Sequence, residues 1–346
     1  MKLILFYLRK LFAVVKNEVL VLPSRVAVII FFLFILLLPS FTDDGYILRV
    51  LTLTCIFAIF AASWDLLSGF TGQLNFGHAL FFGVGAYSAA LMNIHWQLAP
   101  WFSIPLGALV AVAAGLIVGI PALRLKGTYL ALTTLAFPII VMGLVFTFPD
   151  FTGGELGVSG IDKLAETRVY EYYVISILML GLCSIMWKIT DSNTGIIFHA
   201  IREDEIAVRA SGVNTTRYKL LAFSLSGFFA GIAGGLYAHY MRIVGPSTLE
   251  VSLSFQVVIY AIFGGAATIY GPIAAVFLLY PTLELFHLIQ DYRAIVFAIV
   301  VLLVLIYMPD GLFRWLREKV EEECPRCKVR NVAWRKTCRV CTAPLD

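Results

Sequence analysis

Long runs of apolar residues alternate with short polar segments along almost the whole chain. Each run has about 17 to 25 residues, the length of α-helix that crosses roughly 30 Å of hydrocarbon. The pattern therefore predicts an all-α polytopic membrane protein with about 10 transmembrane helices. The ten predicted spans are 25–41, 47–68, 71–92, 102–122, 127–147, 172–189, 219–240, 253–270, 271–288 and 294–308.

Two places in this pattern are irregular. The third span contains several glycines together with Gln73, Asn75 and His78, which predicts a broken or re-entrant helix. The eighth and ninth spans are separated only by Gly271-Pro272, a turn signal.

Composition and charge agree with this picture. Apolar residues make up 60% of the chain, charged residues 14%, and the mean hydropathy is +0.89, which excludes a soluble globule of this length. Lys and Arg precede the first span and fill the 190–218 loop, so we expect the N-terminus in the cytoplasm of a prokaryotic cell, with the protein in its inner membrane. An even number of spans then places the C-terminus in the cytoplasm as well.

The chain divides into four predicted parts. Residues 1–24 interleave basic and apolar residues and predict an amphipathic helix at the membrane interface, with a tilted membrane-entering helix as the alternative. Residues 25–310 are predicted to form the transmembrane domain, 311–323 a juxtamembrane linker, and 324–346 a small cytoplasmic tail. The net charge of +4 lies beyond residue 310, which favours anionic lipid rather than nucleic acid as a partner.

The tail carries a metal-site pattern. Cys324 and Cys327 form one C-x-x-C pair and, ten residues later, Cys338 and Cys341 form another. Two such pairs supply the four thiolates that structural Zn²⁺ prefers, and the tail is too short to form a core without an ion. This predicts a small zinc ribbon for folding or docking, with iron, no metal and disulfides as alternatives.

Polar residues within the third span allow two interpretations. Gln73, Asn75 and His78 either hydrogen-bond between helices or line a translocation path, because unsatisfied polar groups at membrane depth are costly. Four-residue spacing of glycines in the fourth and seventh spans predicts close helix packing. These glycines are Gly115, Gly119, Gly227, Gly231 and Gly235.

Other chemistry is missing from the sequence. It contains no P-loop motif, no H-E-x-x-H and no G-x-S-x-G, so it predicts neither ATP binding nor hydrolysis by this chain. Asp65 and Glu284 are the only acids well inside apolar surroundings, and both lie close enough to the ends of their predicted spans to reach an interface. We therefore expect no enzyme activity, and energy from a partner.

Several segments in order resemble the permease subunits of branched-chain amino-acid ABC importers, of the LivM type. The resemblance covers roughly residues 45–315. It implies a heterodimer with a second permease, two cytoplasmic ATPase subunits and an extracytoplasmic solute-binding protein, and ATP use only through those partners. The segments are GFTGQLNFGHALFFGVGAYSAAL at 69–91, LRLKGTYLALTTLAF at 123–137, TGGELGVSGI at 152–161, AIREDEIAVRASGVNTTRYKLLAF at 200–223, GGAATIYGP at 264–272 and MPDGLF at 308–313.

The resemblance gives the charged 196–217 loop a role in contacting the ATPase. It implies a short helix from about 197 to 210 that ends at Ser211-Gly212, although the E-A-A pattern of ABC importers is only partly kept. The alternative is a solvated loop whose charges only fix the topology. The candidate coupling residues are Arg202, Glu203, Asp204, Ala207, Arg209 and Gly212.

The solute is expected to be leucine, isoleucine or valine. Urea, amides or other amino acids are the alternatives within the family, and a self-contained channel or secondary carrier is the alternative outside it. A scaffold or sensor that works through the tail is a third possibility. The 152–161 segment lies in a predicted outer loop, where its glycines would shape either the surface that receives the binding protein or the mouth of the pathway.

Overall fold

The protein is described here by a computed structural model. It describes residues 44–122, 127–285, 310–327 and 330–345, with a few isolated positions outside these ranges. Two compact units are distinguished, one of residues 44–311 and one that contains the tail from Leu312 onward. The predicted helix at 1–24 and the predicted spans 25–41 and 294–308 lie outside the continuously described residues.

Helices dominate the described residues of the first unit, as predicted. The helix α1 continues through a π-helical turn at Asp65–Gly69 and ends at Thr71. The bounds are α1 Gly45–Trp64, α2 Ala79–Trp96, α3 Pro100–Ala122, α4 Thr128–Thr147, α5 Pro149–Thr152, α6 Arg168–Thr190, α7 Asn193–Glu203, α8 Glu205–Ala210, α9 Thr215–Met241, α10 Val251–Gly264 and α11 Tyr270–Leu285.

Five of the described helical segments are long and apolar enough to cross a membrane by themselves. They are Gly45–Gly69, α3, α4, α6 and α9, and α10 is a shorter apolar helix. In the most apolar 18-residue window of the first segment, 94% is buried inside the protein. In the corresponding windows of α4 and α6, only 28% is buried. The segment Gly45–Gly69 is therefore central, and α4 and α6 present apolar side chains outward.

The core of this unit is formed where α2, α3 and α9 pack against one another. Small residues let the backbones approach closely: a Cβ atom at Gly85 would lie 2.6 Å from Gly231 Cα, and one at Gly231 would lie 2.8 Å from Ala108 Cα. Gly115 and Gly227 both receive the ring of Phe81. The predicted glycine-mediated helix contact is confirmed.

Two breaks interrupt the helices of the first unit. Residues 72–78, the first break, separate Thr71 from α2, so the predicted interruption of the third span is confirmed. Residues 265–269, the second break, separate α10 from α11. The expectation of a turn at Gly271-Pro272 was wrong, because Pro272 lies in the first turn of α11, where its missing N–H removes no helical hydrogen bond.

A short antiparallel pairing joins two loops at the far ends of α4 and α9. The strand β1 (Val158–Ser159) pairs with β2 (Ile243–Val244), with Val158 opposite Val244. A 3₁₀ turn, Pro246–Leu249, follows β2 and leads into α10. The glycine-rich 152–161 segment is thereby tied to the end of α9.

The tail contains helix α12 (Leu312–Val320), followed by the antiparallel strands β3 (Glu321–Glu323) and β4 (Arg330–Val332). The segment predicted as a linker, 311–323, thus holds a helix and the first strand. The hairpin begins three residues before Cys324, because the Cys324–Cys327 turn is itself the connection between β3 and β4.

Candidate functional site

The first break is held by side chains from three neighbouring helices, α1, α4 and α10. Its backbone N–H groups have no helical partners, so side chains must accept their hydrogen bonds. Thr134 Oγ1 on α4 accepts from Phe76 N at 3.1 Å, and Ser254 Oγ on α10 accepts from Ala79 N at 2.8 Å. Trp64 Nε1 donates to the Asn75 carbonyl at 2.7 Å. The break is a fixed part of the structure.

His78 and Asn75 belong to one directed chain of hydrogen bonds. Gly77 N donates to Asn75 Oδ1 at 2.9 Å, so the Asn75 amide nitrogen faces His78 Nδ1 at 3.4 Å. His78 Nε2 lies 2.9 Å from Ser63 Oγ, whose hydroxyl donates to the Phe60 carbonyl at 2.7 Å. This order of donors assigns a neutral imidazole with its proton on Nε2. The structure therefore brings Asn75 and His78 together as helix-joining groups.

Gln73 differs from the other two predicted path residues. Its amide nitrogen donates to Thr71 Oγ1 at 2.8 Å and to the Lys219 carbonyl at 3.5 Å. Its amide oxygen is buried and accepts no hydrogen bond from the described residues. A small recess lies beside it, lined by Leu67, Gln73, Leu74, Asn75, Leu130, Thr134 and Phe223.

The charged loop forms two helices instead of the single predicted helix at 197–210. Asp204 has an extended backbone, and its carboxylate accepts from Ile206 N at 2.8 Å and from Ala207 N at 3.1 Å. Asp204 is thus the N-cap of α8. Because its backbone is extended, α7 ends one residue earlier, at Glu203. Gly212 has a φ of +88°, as expected for a residue that stops a helix.

Glu205 fastens α8 to the start of α9. Its carboxylate lies 2.5 Å from Lys219 Nζ and 2.9 Å from Arg209 Nη2, and it accepts from Thr215 Oγ1 at 3.2 Å. Burial raises the pKa of Glu205, but the Lys219 ammonium, Thr215 and the Arg209 guanidinium outweigh it and hold the pKa below its usual range. Glu205 and Lys219 were not among the predicted coupling residues, although an Asp-Glu pair before a helix is a recognisable start signal.

Arg202 points from α7 toward the end of α1. Its Nη1 donates to the Gly69 carbonyl at 2.7 Å, and its Cγ would lie 3.3 Å from a Cβ atom at Gly72. The neighbouring His199 ring packs on Phe70, with the ring centroids 4.8 Å apart. Burial, and then the charge of Arg202, lower the pKa of His199. Of the predicted coupling residues, Glu203, Asp204, Ala207 and Arg209 are exposed and carry no such contact to α1 in the described residues.

Asp65 anchors the second break. It is fully buried, and its carboxylate accepts from Ala267 N at 2.7 Å, Thr268 N at 3.0 Å and Ile269 N at 3.0 Å. Three backbone donors thus satisfy the carboxylate inside the protein.

A cluster of polar side chains holds the loop between α5 and α6 in place. Asn93 exchanges hydrogen bonds with Asp162, donating to its Oδ2 at 2.8 Å and accepting from its N at 2.9 Å. His239 on α9 lies 2.9 Å from the Asp162 carbonyl and 2.8 Å from Ser103 Oγ. Leu156, at the tip of this loop, is 88% exposed. These contacts were not foreseen because the partners are about 70 or more residues apart.

The four tail cysteines lie together. Their sulfur atoms are all within 4.8 Å of one another, and Cys324 and Cys338 are buried. Backbone N–H groups of Cys341 and Val340 lower the pKa of Cys338 to about 6, and those of Cys327 and Arg326 lower the pKa of Cys324. Four clustered thiols, two of them with a lowered pKa, fit a tetrahedral thiolate site for Zn²⁺.

The chain matches the family described as branched-chain amino acid transport system / permease component over residues 46–307. It is 31% identical to the high-affinity branched-chain amino acid transport system permease protein LivM of Salmonella typhimurium, over 81% of this chain and 72% of that protein. It is also 31% identical to LivM of Escherichia coli, over 82% and 72%. LivH of Salmonella typhimurium is 22% identical, over 75% and 92%. The chain therefore belongs to the family of permease components of branched-chain amino acid transport systems.

Proposed function

We propose that this chain is the permease subunit of an ATP-driven importer for leucine, isoleucine and valine. The single observation that carries the proposal is the family match over 46–307, which includes both breaks and the α7–α8 loop. Two of its relatives in one organism, LivM and LivH, are named as permeases of one type of transport system. By analogy the chain works as a heterodimer with a second permease, with two cytoplasmic ATPase subunits and an extracytoplasmic solute-binding protein.

The α7–α8 loop is the part proposed to contact the ATPase. Glu203, Asp204, Ala207 and Arg209 are exposed in this loop, and α8 stops before Gly212. Glu205 holds α8 on α9, so a partner that binds this loop meets a preformed shape. We place the loop and both chain termini in the cytoplasm, and the glycine-rich loop with Leu156 on the side of the binding protein.

The experiment that tests this function begins with the tagged chain, purified in mild detergent from its native host. We expect two ATPase subunits and a second permease to co-purify, identified by mass spectrometry. Proteoliposomes of that complex should take up labelled leucine only with ATP inside and binding protein outside. Competition by urea, acetamide and other amino acids then defines the solute class. Purification of the chain alone in several detergents would contradict the proposal and favour a channel or secondary carrier.

The translocation path is proposed to pass the recess beside Gln73. The buried amide oxygen without a partner is the feature that favours this residue over Asn75 and His78, whose groups bond to the protein. We expect Gln73→Met to lower the rate of uptake while leaving assembly unchanged. Gln256→Met on α10 is the control, since its amide already bonds to Tyr260. Equal uptake by both variants would remove Gln73 from the path.

The tail is proposed to bind one structural Zn²⁺ through Cys324, Cys327, Cys338 and Cys341. We expect about one zinc per chain by elemental analysis of the purified protein, as a closed four-ligand site requires. The double variant Cys327→Ser with Cys341→Ser should lose it, while Cys183→Ser, a change within α6, should retain it. Iron in place of zinc, or no metal in the unsubstituted chain, would contradict the assignment.

A further inference from the structure

Among the predicted coupling residues, all of which the structure describes, Arg202 is the one whose side chain donates a hydrogen bond to the end of α1. It lies on α7, in the loop proposed to meet the ATPase, but its guanidinium donates to the Gly69 carbonyl at 2.7 Å. That carbonyl is available because α1 ends at Thr71, so the last turn has acceptors without helical donors. The contact therefore joins the cytoplasmic loop, in the proposed topology, to the end of the most buried helical segment of the first unit.

Gly69 also lies against the second break. A Cβ atom at this position would lie 1.9 Å from Asp65 Oδ1 and 2.7 Å from Ala267 N. Three separate parts of the chain thus meet at one residue that has no side chain: α7 through Arg202, α1 through Asp65, and the connection between α10 and α11. Arg202 also brings its positive charge near the Asp65 carboxylate.

The second break has an unusual backbone conformation that depends on its hydrogen bonds to Asp65. Gly265, Ala267 and Ile269 have φ values of 106°, 62° and 44°. Left-handed conformations are unfavourable for Ala and, still more, for a β-branched residue such as Ile, so surrounding contacts must hold them. The three N–H groups that converge on Asp65 supply those contacts. A displacement of Asp65 therefore changes the connection between α10 and α11.

We propose that Arg202 is a positioning residue that transmits movement of α7 to the break between α10 and α11, through Gly69 and Asp65, rather than a contact to the ATPase. The proposal rests on the proposed function, since it presumes that an ATPase moves α7. It separates two roles within one loop: the exposed residues of α8 bind the partner, and Arg202 carries the displacement inward.

The test uses the complete importer in proteoliposomes, with ATP hydrolysis and solute uptake measured on the same preparation. The variants are Arg202→Ala, Arg202→Lys and, as a matched control, Arg217→Ala, which removes an exposed arginine of the same loop. We expect Arg202→Ala to keep its ATPase subunits and its hydrolysis but to lose about tenfold in solute transported per ATP. Arg202→Lys should recover part of this ratio, because an ammonium also donates to a carbonyl, and Arg217→Ala should match the unsubstituted complex.

Two results would overturn the proposal. The first is a ratio of uptake to hydrolysis in Arg202→Ala within about twofold of the unsubstituted complex, too small for a useful coupling. The second is loss of the ATPase subunits from this variant alone, which would make Arg202 a direct contact. An unsubstituted complex without ATPase subunits would instead refute the proposed function.

If the Arg202→Ala chain itself does not fold in the membrane, spin labels at Ile196 and Ala266 report on the complex with Arg202 intact. Ile196 is an exposed residue of α7, and Ala266 lies in the second break. The proposal expects their separation to stay nearly constant when ATP binds, since the two parts move together. A change of about 5 Å, the length of one helical turn, would show that they move independently and would refute it.

Discussion

The two breaks solve the same problem with different chemistry. Both leave backbone N–H groups without helical partners in a membrane domain, where water is not at hand to accept their hydrogen bonds. The first break uses neutral groups from several helices, among them Ser254, Thr134 and Ser68. The second uses one carboxylate, Asp65, for three donors. In the first break the hydrogen bonds are distributed among several side chains, whereas in the second break one side chain accepts all three.

The largest effect is therefore expected at the second break. Asp65→Asn keeps the size of the side chain but turns an N–H₂ group toward backbone donors, so it breaks charged hydrogen bonds inside the protein. We expect the free energy of unfolding to fall by about 3 kcal/mol, measured by thermal unfolding in detergent. Asp44→Asn is the control, because Asp44 caps α1 at an exposed position. A loss no larger than that of the control would show that the second break does not depend on Asp65.

A smaller loss is expected when one member of the first break is removed. His78→Ala deletes a buried ring and two hydrogen bonds, but the backbone donors of residues 75–79 keep their other acceptors. We expect a loss of about 2 kcal/mol by the same measurement. His95→Ala, which removes an exposed ring at the end of α2, should change little. If His78→Ala cost more than Asp65→Asn, the contrast between shared and concentrated contacts would be wrong.

The smallest effect is expected at Glu205, in the α7–α8 loop, where water is available. Glu205 has a pKa below its usual range, so its contribution to stability is complete above that usual range and is lost as the pH falls through the folded pKa. Glu205→Gln should cost about 1 kcal/mol at neutral pH and nothing at low pH. The check is the difference in unfolding temperature between the two proteins as a function of pH. A difference that grows on acidification would have the wrong sign.

The sequence reveals local features of this fold better than distant ones. The interruption near Gln73 was predictable, because polar residues and glycines cluster there. The clustering of the four tail cysteines was also predictable, since each C-x-x-C pair brings two thiols together within a short segment. Asp204 also gives a local signal, as an aspartate before Glu205, but the family resemblance implied one continuous helix.

The second break could not be placed from the sequence. Its position depends on Asp65, about 200 residues earlier, and no local pattern connects the two. Gly271-Pro272 gave the stronger local turn signal, yet proline is accepted in the first turn of a helix and did not end one here. The same limit applies to Asn93, Asp162 and His239, which meet only in three dimensions.

The tight fit around Gly69 has a consequence for the evolution of this protein. Almost any new side chain at position 69 would collide with Asp65 and with the backbone of the second break, so we expect selection to keep glycine there. Positions 65, 69 and 267–269 should therefore change together or not at all, whereas position 156, where Leu156 is 88% exposed, has room for other side chains.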